Sequence, residues 1–138
     1  MNYANPYGAA RQYANVGAEA VVADADPHRL IQLLFENARG RIAAAKGHMQ
    51  RGEVSMKGEA IGRAIGIVEG LRDALNMDAG GEVARNLDEL YEYAAQRLLE
   101  GNLRNDVACL DEIAALLVEI QGAWEAIAPR PATPGHAP

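Results

Sequence analysis

Apolar residues recur every three or four positions along most of this chain, which is the spacing of helices that bury one face. Four such segments are separated by short breaks. The first opens at Asp26 and Pro27, because an aspartate can cap free backbone amides and a proline suits a first turn, and it ends at Gly52. No stretch shows the strict alternation of a half-buried strand. The pattern predicts an all-α protein.

The other three helices follow with the same periodicity. Helices of roughly 20 residues span about 30 Å, and connections of only a few residues place sequential helices antiparallel. We therefore expect an antiparallel up-down four-helix bundle. The approximate bounds of the later helices are Val54–Asn76, Glu82–Glu100 and, after a cap at Asn105 or Asp106, Val107–Ile127.

The two ends of the chain differ from the helical segments. Residues 1–24 carry Tyr3, Tyr7 and Tyr13 in a small, polar background, and we expect them to form a short N-terminal arm or helix. Residues 128–138 hold four prolines and a glycine without apolar periodicity, which predicts a disordered tail. The bundle is therefore assigned to residues 25–127.

The second helix has a wider apolar arc than the third and fourth, whose single stripes run from Val83 to Leu98 and from Val107 to Ile127. One arc normally suffices for a bundle member, so the second stripe of this helix needs another cover. The arm with Tyr7 and Tyr13 is one candidate cover; alternatively, Tyr7 packs permanently at the core rim. The stripe in question is Ala60, Ala64, Ile67 and Leu71.

Glycines mark two further features. Gly80 and Gly81 are expected to reverse the chain between the second and third helices. Other glycines lie inside the second helix at four-residue spacing, where each costs about 1 kcal/mol relative to alanine. Either this stripe lets another backbone come close, or the chain simply tolerates it. The glycines of the stripe are Gly58, Gly62, Gly66 and Gly70.

Composition and charge limit the classes of molecule that this protein can bind. The chain has 19 acidic and 13 basic residues, a net charge of -6, which repels nucleic acid and anionic lipid headgroups. No apolar run approaches the roughly 20 residues of a membrane helix. The single Cys109 cannot form an internal disulfide, and the N-terminus lacks the pattern of a secretory signal. We expect a cytoplasmic protein without membrane insertion.

Patterns for metal binding or catalysis are sparse. A di-metal bundle needs Glu-x-x-His pairs facing inward, and the sequence contains none. His28, His48 and His136 are expected to be exposed to solvent, and Cys109 to be a small, buried residue. We therefore expect no metal, no cofactor and no enzyme activity.

One alternative is a phosphorelay function. The segment HMQRG, from His48 to Gly52, resembles the His-x-x-Arg/Lys-Gly core of histidine phosphotransfer domains, which are also four-helix bundles. A neutral imidazole beside a cation is a plausible phosphate acceptor. In that family the motif lies inside a helix, whereas here Gly52 is predicted to end one. The match therefore supports this function only weakly.

Longer motifs resemble a different family. Four segments, in this order, are similar to FliS-type flagellin export chaperones, and the similarity extends from about Tyr7 to Ile127. It implies a cytoplasmic helical bundle that binds the disordered C-terminal segment of flagellin in hydrophobic grooves and prevents premature polymerisation before flagellar type III export. The segments are DPHRLIQLLFENA from Asp26, LRDALNMDAGGEVARNLDELYEY from Leu71, RLLEGNLRND from Arg97 and LLVEIQGAWEAI from Leu116.

The resemblance also implies a set of site residues. Tyr7 and Tyr13 would form an arm that lies across part of the groove until the client displaces it. Flagellar export components would be further candidate partners. Two departures from the family pattern are Gly101, where alanine is usual, and Phe35, where tyrosine is common. The groove walls would be Ala60, Ala64, Ile67 and Leu71 on one side and Leu90, Tyr91, Ala94 and Leu98 on the other, with Asn102 and Asp106 bonding polar groups of the client.

Overall fold

The computed structural model describes residues 26–127 of the chain. This range forms four α-helices and contains no strand: α1 (Pro27–Gln50), α2 (Val54–Asp73), α3 (Met77–Arg104) and α4 (Val107–Ala126). The predicted all-α class is confirmed. The predicted arm and the predicted tail lie outside the described residues.

Contacts between helix ends establish the topology. Lys57, near the start of α2, donates hydrogen bonds to Asn102 near the end of α3, so these two helices run in opposite directions. His28, at the start of α1, contacts Trp124 at the end of α4. Each helix packs against two neighbours, and α1 closes the ring by packing on both α2 and α4. The antiparallel up-down bundle is therefore confirmed.

Polar side chains define the helix ends. Asp26 caps α1 and Asp106 caps α4, each by accepting a backbone N–H, at 2.7 Å and 2.9 Å respectively. Asn105 does not cap α4; it ends α3 in the left-handed conformation, with φ 53°, which asparagine tolerates better than most residues. A cap at Asn76, which was not predicted, starts α3. These side chains satisfy amides that have no partner inside their own helix.

The connection between α2 and α3 differs from the prediction. The chain reverses through residues 74–76, and α3 begins at Met77, because the Asn76 cap starts the helix before the glycine pair. Gly81 instead interrupts α3, with φ 56° and ψ -131°. A backbone with this φ strongly favours glycine. The reversal thus precedes the glycine pair, whereas the non-helical backbone angles expected of this pair are found at Gly81.

The core runs along the bundle axis and draws on all four helices. Its fully buried members are mostly branched aliphatic side chains, whose removal from water supplies the main stabilisation of such a bundle. Cys109 is among them, as expected. The largest are Phe35, Leu30, Leu34, Ile61, Leu71, Leu98, Leu110, Ile113 and Leu117.

One buried cation joins two helix ends. The Nζ of Lys57 donates to the Asn102 carbonyl at 3.1 Å and to the Asn105 side-chain oxygen at 3.0 Å. Carbonyl groups at a helix C-terminus carry partial negative charge, so they compensate the ammonium group. Lys57 thus fixes the start of α2 against the end of α3.

Glycines serve different purposes at different sites. A Cβ added at Gly58 or Gly62 would meet no atom within 4 Å, so no described helix uses the space at these two members of the stripe. A Cβ at Gly101 would lie 2.9 Å from the Cβ of Cys109 and 3.2 Å from the Asp106 carbonyl oxygen. Gly101 therefore allows α3 and α4 to approach closely.

We expect Gly101→Ala to lower the free energy of unfolding by about 1 to 2 kcal/mol, because overpacking outweighs the better helix propensity of alanine. Gly62→Ala is the matched control, since it adds the same methyl group to open space, and it should raise stability by up to about 1 kcal/mol. Urea unfolding followed by circular dichroism measures both changes. A Gly101→Ala chain as stable as the control would contradict the close approach.

Candidate protein-binding site

An apolar pocket of about 340 Å³ opens at one end of the bundle. This is the end where α1 begins, α4 ends and the α2–α3 connection turns back, so all four helices contribute. The lining is mainly aliphatic and aromatic. Its principal side chains are Leu71, Val83, Leu87, Tyr91, Trp124 and Ile127.

The pocket has a buried floor and an exposed rim. Leu71 and Tyr91 form the floor and belong to the core. Val83 and Ile127 form the rim and remain 67% and 68% exposed, which is unusual for large apolar side chains that lie together. Contiguous apolar surface of this kind marks sites that bind other molecules. The pocket therefore has the character of a binding site rather than of a packing defect.

The break at Gly81 shapes one wall. The first turn of α3, which includes Ala79 and Gly80, lies on one side of the break, and Val83 and Leu87 lie on the other, yet all four residues line the pocket. A straight helix would place these residues around its circumference according to a single 3.6-residue period. The change of direction at Gly81 therefore sets how both sides of the break face the pocket.

An ion pair fastens the hairpin that carries this wall. The Nε of Arg72 donates to Oδ1 of Asp88 at 2.6 Å, and Nη2 donates to Oδ2 at 3.3 Å, which is a bidentate pairing of α2 with α3. The hydrogen bonds from Arg72 lower the pKa of Asp88 below its ordinary value. The pair is half-buried, so it holds the two helices together beside Leu71.

On the other side of the pocket, a contact between His28 and Trp124 joins α1 to α4. Their rings stack with centroids 4.5 Å apart and an interplanar angle of 11°. His28 Nε2 lies 2.9 Å from the Trp124 carbonyl oxygen, and the Trp124 indole N–H donates to the His28 carbonyl oxygen at 3.1 Å. His28 was expected to be a solvated side chain; it is half-buried instead, because it packs on α4.

The predicted first wall lies in the core. Ala60, Ala64 and Ile67 are buried in the core cluster, and Ala64 is 0% exposed. The second stripe of α2 needs no cover from the arm, because α2 packs against both α1 and α3 and so buries two stripes. Leu71 is the member of this set that also reaches the pocket.

The other predicted residues are divided between core, pocket and the far end of the bundle. Ala94 and Leu98 are buried, and Tyr91 is buried but lines the pocket. Leu90, which precedes Tyr91 on α3, is 37% exposed. At the opposite end, the Asn102 carbonyl is bound by Lys57 and the Asp106 side chain caps α4. Tyr7 and Tyr13 lie outside the described residues.

Several pocket residues were assigned by sequence only to helix stripes. Val83 and Ile127 continue the apolar period of α3 and α4, so the pattern predicts that both are buried, whereas both are exposed. They lie near helix ends, where no helix within residues 26–127 covers them. The sequence signal for such rim residues is an apolar residue at the end of a helical stripe. This signal does not distinguish a residue at a pocket rim from a residue in the core.

The geometry around His48 does not favour phosphotransfer. Its side chain is 16% exposed, and Nδ1 lies 2.7 Å from Oε1 of Glu53, which also accepts a hydrogen bond from Arg51 at 3.0 Å. Hydrogen bonds from His48 and then Arg51 lower the pKa of Glu53, so this group is a carboxylate at neutral pH. A carboxylate beside the ring repels an incoming phosphoryl group. His48 was expected to be exposed and solvated. Its low exposure and its contact with Glu53 show that this expectation was wrong.

Other catalytic and membrane-spanning features can be assessed over residues 26–127. Burial raises the pKa of the Cys109 thiol, which suppresses the reactive thiolate. In this range, no three histidine, cysteine or carboxylate side chains come together as a metal site. None of the four described helices is long and apolar enough to cross a bilayer.

A helical bundle with an open apolar pocket at its end has the geometry that helix-in-groove recognition of other proteins uses. Comparison with known proteins then gives the family. The family model described as "Flagellar protein FliS" matches residues 9–131, and the chain belongs to this family.

Individual relatives cover most of the chain. The flagellar secretion chaperone FliSB of Pseudomonas aeruginosa is 52% identical over 119 residues, covering 86% of this chain and 94% of that protein. The flagellar secretion chaperone FliS of Salmonella typhimurium is 43% identical over 121 residues, with coverages of 87% and 90%. The Bacillus subtilis chaperone of the same name is 26% identical over 125 residues. The family is one of secretion chaperones, not of enzymes.

We expect Asp88→Asn to weaken the α2–α3 hairpin in a pH-dependent way. The folded-state pKa of Asp88 lies below its ordinary value of 3.8, so the ion pair stabilises the chain above pH 3.8, and this contribution is lost as pH falls through the lower folded value. Thermal melting should therefore show a lower Tm for Asp88→Asn at pH 7, and the difference should shrink and then vanish as the pH falls below 3.8. The control is Glu119→Gln, at an exposed position of α4, which should leave the Tm unchanged. A pH-independent difference would contradict the ion pair.

Proposed function

We propose that this protein is a cytoplasmic export chaperone that binds the disordered C-terminal segment of flagellin and prevents its polymerisation before flagellar type III export. The carrying observation is the apolar pocket, with its buried floor and exposed rim, in a chain of the FliS family. The net charge of -6 disfavours nucleic acid and anionic membranes as partners. Flagellar export components are proposed as further partners.

The mechanism is recognition of a helix in a groove. A client segment that is unfolded alone folds into helical pieces against the pocket, and its apolar side chains enter between the Val83 and Ile127 rim. Burial contributes roughly 25 cal/mol per Å² of apolar surface, whereas ordering the client takes back at least about 2 to 5 kcal/mol. The binding is therefore tight but reversible, and no covalent step is needed.

We propose that the client-binding surface continues from the pocket along α3 and α4. Glu112 of α4 accepts hydrogen bonds from Tyr93 and Arg97 of α3, so this face of α4 is turned toward α3. Leu116 and Ile120 follow at four-residue spacing on the same face and are half-buried. With the exposed Leu90 of α3, they extend the apolar surface away from the pocket.

In this proposal, the buried residues of the two predicted walls support the binding surface without contacting the client. They fix the spacing of the helices, whereas Leu71, Leu90 and Tyr91 contact the client directly. Tyr7 and Tyr13 remain the proposed displaceable cover. Asn102 and Asp106 are proposed polar contacts for a client segment that continues along the bundle to its other end. The supporting residues are Ala60, Ala64, Ile67, Ala94 and Leu98.

We expect Val83→Asp to weaken binding of a flagellin C-terminal peptide about tenfold or more, because a carboxylate at the rim must be desolvated against apolar client side chains. The matched control is Val118→Asp, since Val118 is also an exposed valine, 49% exposed, but lies on the α1–α4 side of the bundle. Calorimetric titration gives the affinities, and circular dichroism checks that both variants keep their helicity.

Two results would count against the proposal at different levels. If the unaltered chain neither binds the flagellin peptide nor suppresses flagellin polymerisation, the proposed function is wrong. If the unaltered chain binds but Val83→Asp binds as tightly as Val118→Asp, the function stands and the pocket is not its site. The gain of peptide helicity on binding tests the mechanism separately.

A further inference from the structure

A reciprocal contact joins the first and the last described helix at the pocket end of the bundle. His28 lies in the first turn of α1 and Trp124 in the last turn of α4, yet each bonds the backbone carbonyl of the other and their rings stack. A carbonyl oxygen only accepts hydrogen bonds, so the Nε2 of His28 must carry the proton. This donor is present in both the neutral and the charged imidazole. We refer to the pair as the terminal clasp.

The terminal clasp fixes the orientation of an indole ring. Hydrogen bonding holds the N–H edge of Trp124 on α1, and the imidazole covers one of its faces. The same side chain lines the apolar pocket together with Ile31 of α1 and Ile127. A tryptophan in the last turn of a helix, where the backbone frays, would otherwise have several rotamers available. The clasp leaves one orientation, in which the ring is a wall of the pocket.

Other bonds already hold α1 and α4 together. Gln32 donates to Glu125 at 2.7 Å, and Lys46 pairs with Asp111 at 2.8 Å, and neither contact involves a side chain of the pocket lining. The terminal clasp is thus not needed merely to dock the two helices. What it adds is a rigid aromatic wall at the binding pocket, which reduces the entropy that binding must remove.

We propose that His28 is a positioning residue for client binding: it holds Trp124 as a preformed wall of the apolar pocket and so sets the affinity of the pocket for an apolar helix of the client. This inference rests on the proposed function, because it concerns the same pocket. According to this inference, His28 raises the affinity for the client although it does not contact the client. His28 acts through the indole ring.

The test compares three variants in titrations with a flagellin C-terminal peptide. His28→Ala removes both the stack and the bond to the Trp124 carbonyl and should weaken binding about fivefold to tenfold. His28→Phe keeps an aromatic stack without the bond and should give an intermediate loss. Gln32→Ala is the matched control, because it removes a neighbouring α1–α4 bond away from the pocket and should leave affinity unchanged.

A second readout separates positioning from stability. Trp124 is the single tryptophan of the chain, so near-UV circular dichroism and fluorescence anisotropy report directly on its ring. In the free state, His28→Ala should lose the near-UV tryptophan signal and lower the anisotropy, while Gln32→Ala should retain both. Far-UV circular dichroism should show the same helicity for all variants. If His28→Ala does not fold, His28→Phe carries the test.

Two outcomes would overturn the inference. One is unaltered client affinity in a folded His28→Ala or His28→Phe chain; the other is an equal loss of affinity in Gln32→Ala, which would indicate a general effect of loosening α1 and α4. Absence of peptide binding by the unaltered chain would instead refute the proposed function. The two failures are therefore distinguishable in one set of titrations.

Discussion

The structure depends on burying two apolar stripes of α2 at once. Because α2 packs on α1 with one stripe and on α3 with the other, it occupies a corner of the bundle whose two contacts are both extensive. Ala60 and Ala64 keep these contacts close, and Ile67 and Leu71 fill the space toward the end of the helix. The α2–α3 hairpin is thereby placed against α1, and the position of every pocket residue follows from it.

The pocket arises where this packing ends. The Asn76 cap starts α3 early and Gly81 redirects its first turn, and none of the four described helices covers Val83 and Ile127. The Arg72–Asp88 ion pair on one side and the terminal clasp on the other hold the surrounding elements in place. A pocket framed by rigid elements is available without rearrangement of the core, which suits a chaperone that must bind and later release its client.

Gly101 determines how closely α3 and α4 pack at the other end of the bundle. Glycine at this position lets α3 meet Cys109 of α4 at a distance that a methyl group would not permit. Lys57 and Asn105 then close the same end of the bundle with hydrogen bonds. This end is closely packed and tied, whereas the opposite end is open and apolar. Within residues 26–127, this asymmetry confines the apolar pocket to one end of the bundle.

The amino-acid sequence by itself determined the helices, their order and the cap at Asp26, because periodicity and capping are local properties; it left Asn105 and Asp106 as alternative caps of α4, and the structure decided for Asp106. Family motifs also indicated the secretion-chaperone family. Only the tertiary structure decided which apolar residues are covered: Ala64 is enclosed, while Val83, with the same helical periodicity, is exposed. The physical reason is that burial depends on where neighbouring helices end, and a stripe in one helix carries no information about the length of the next.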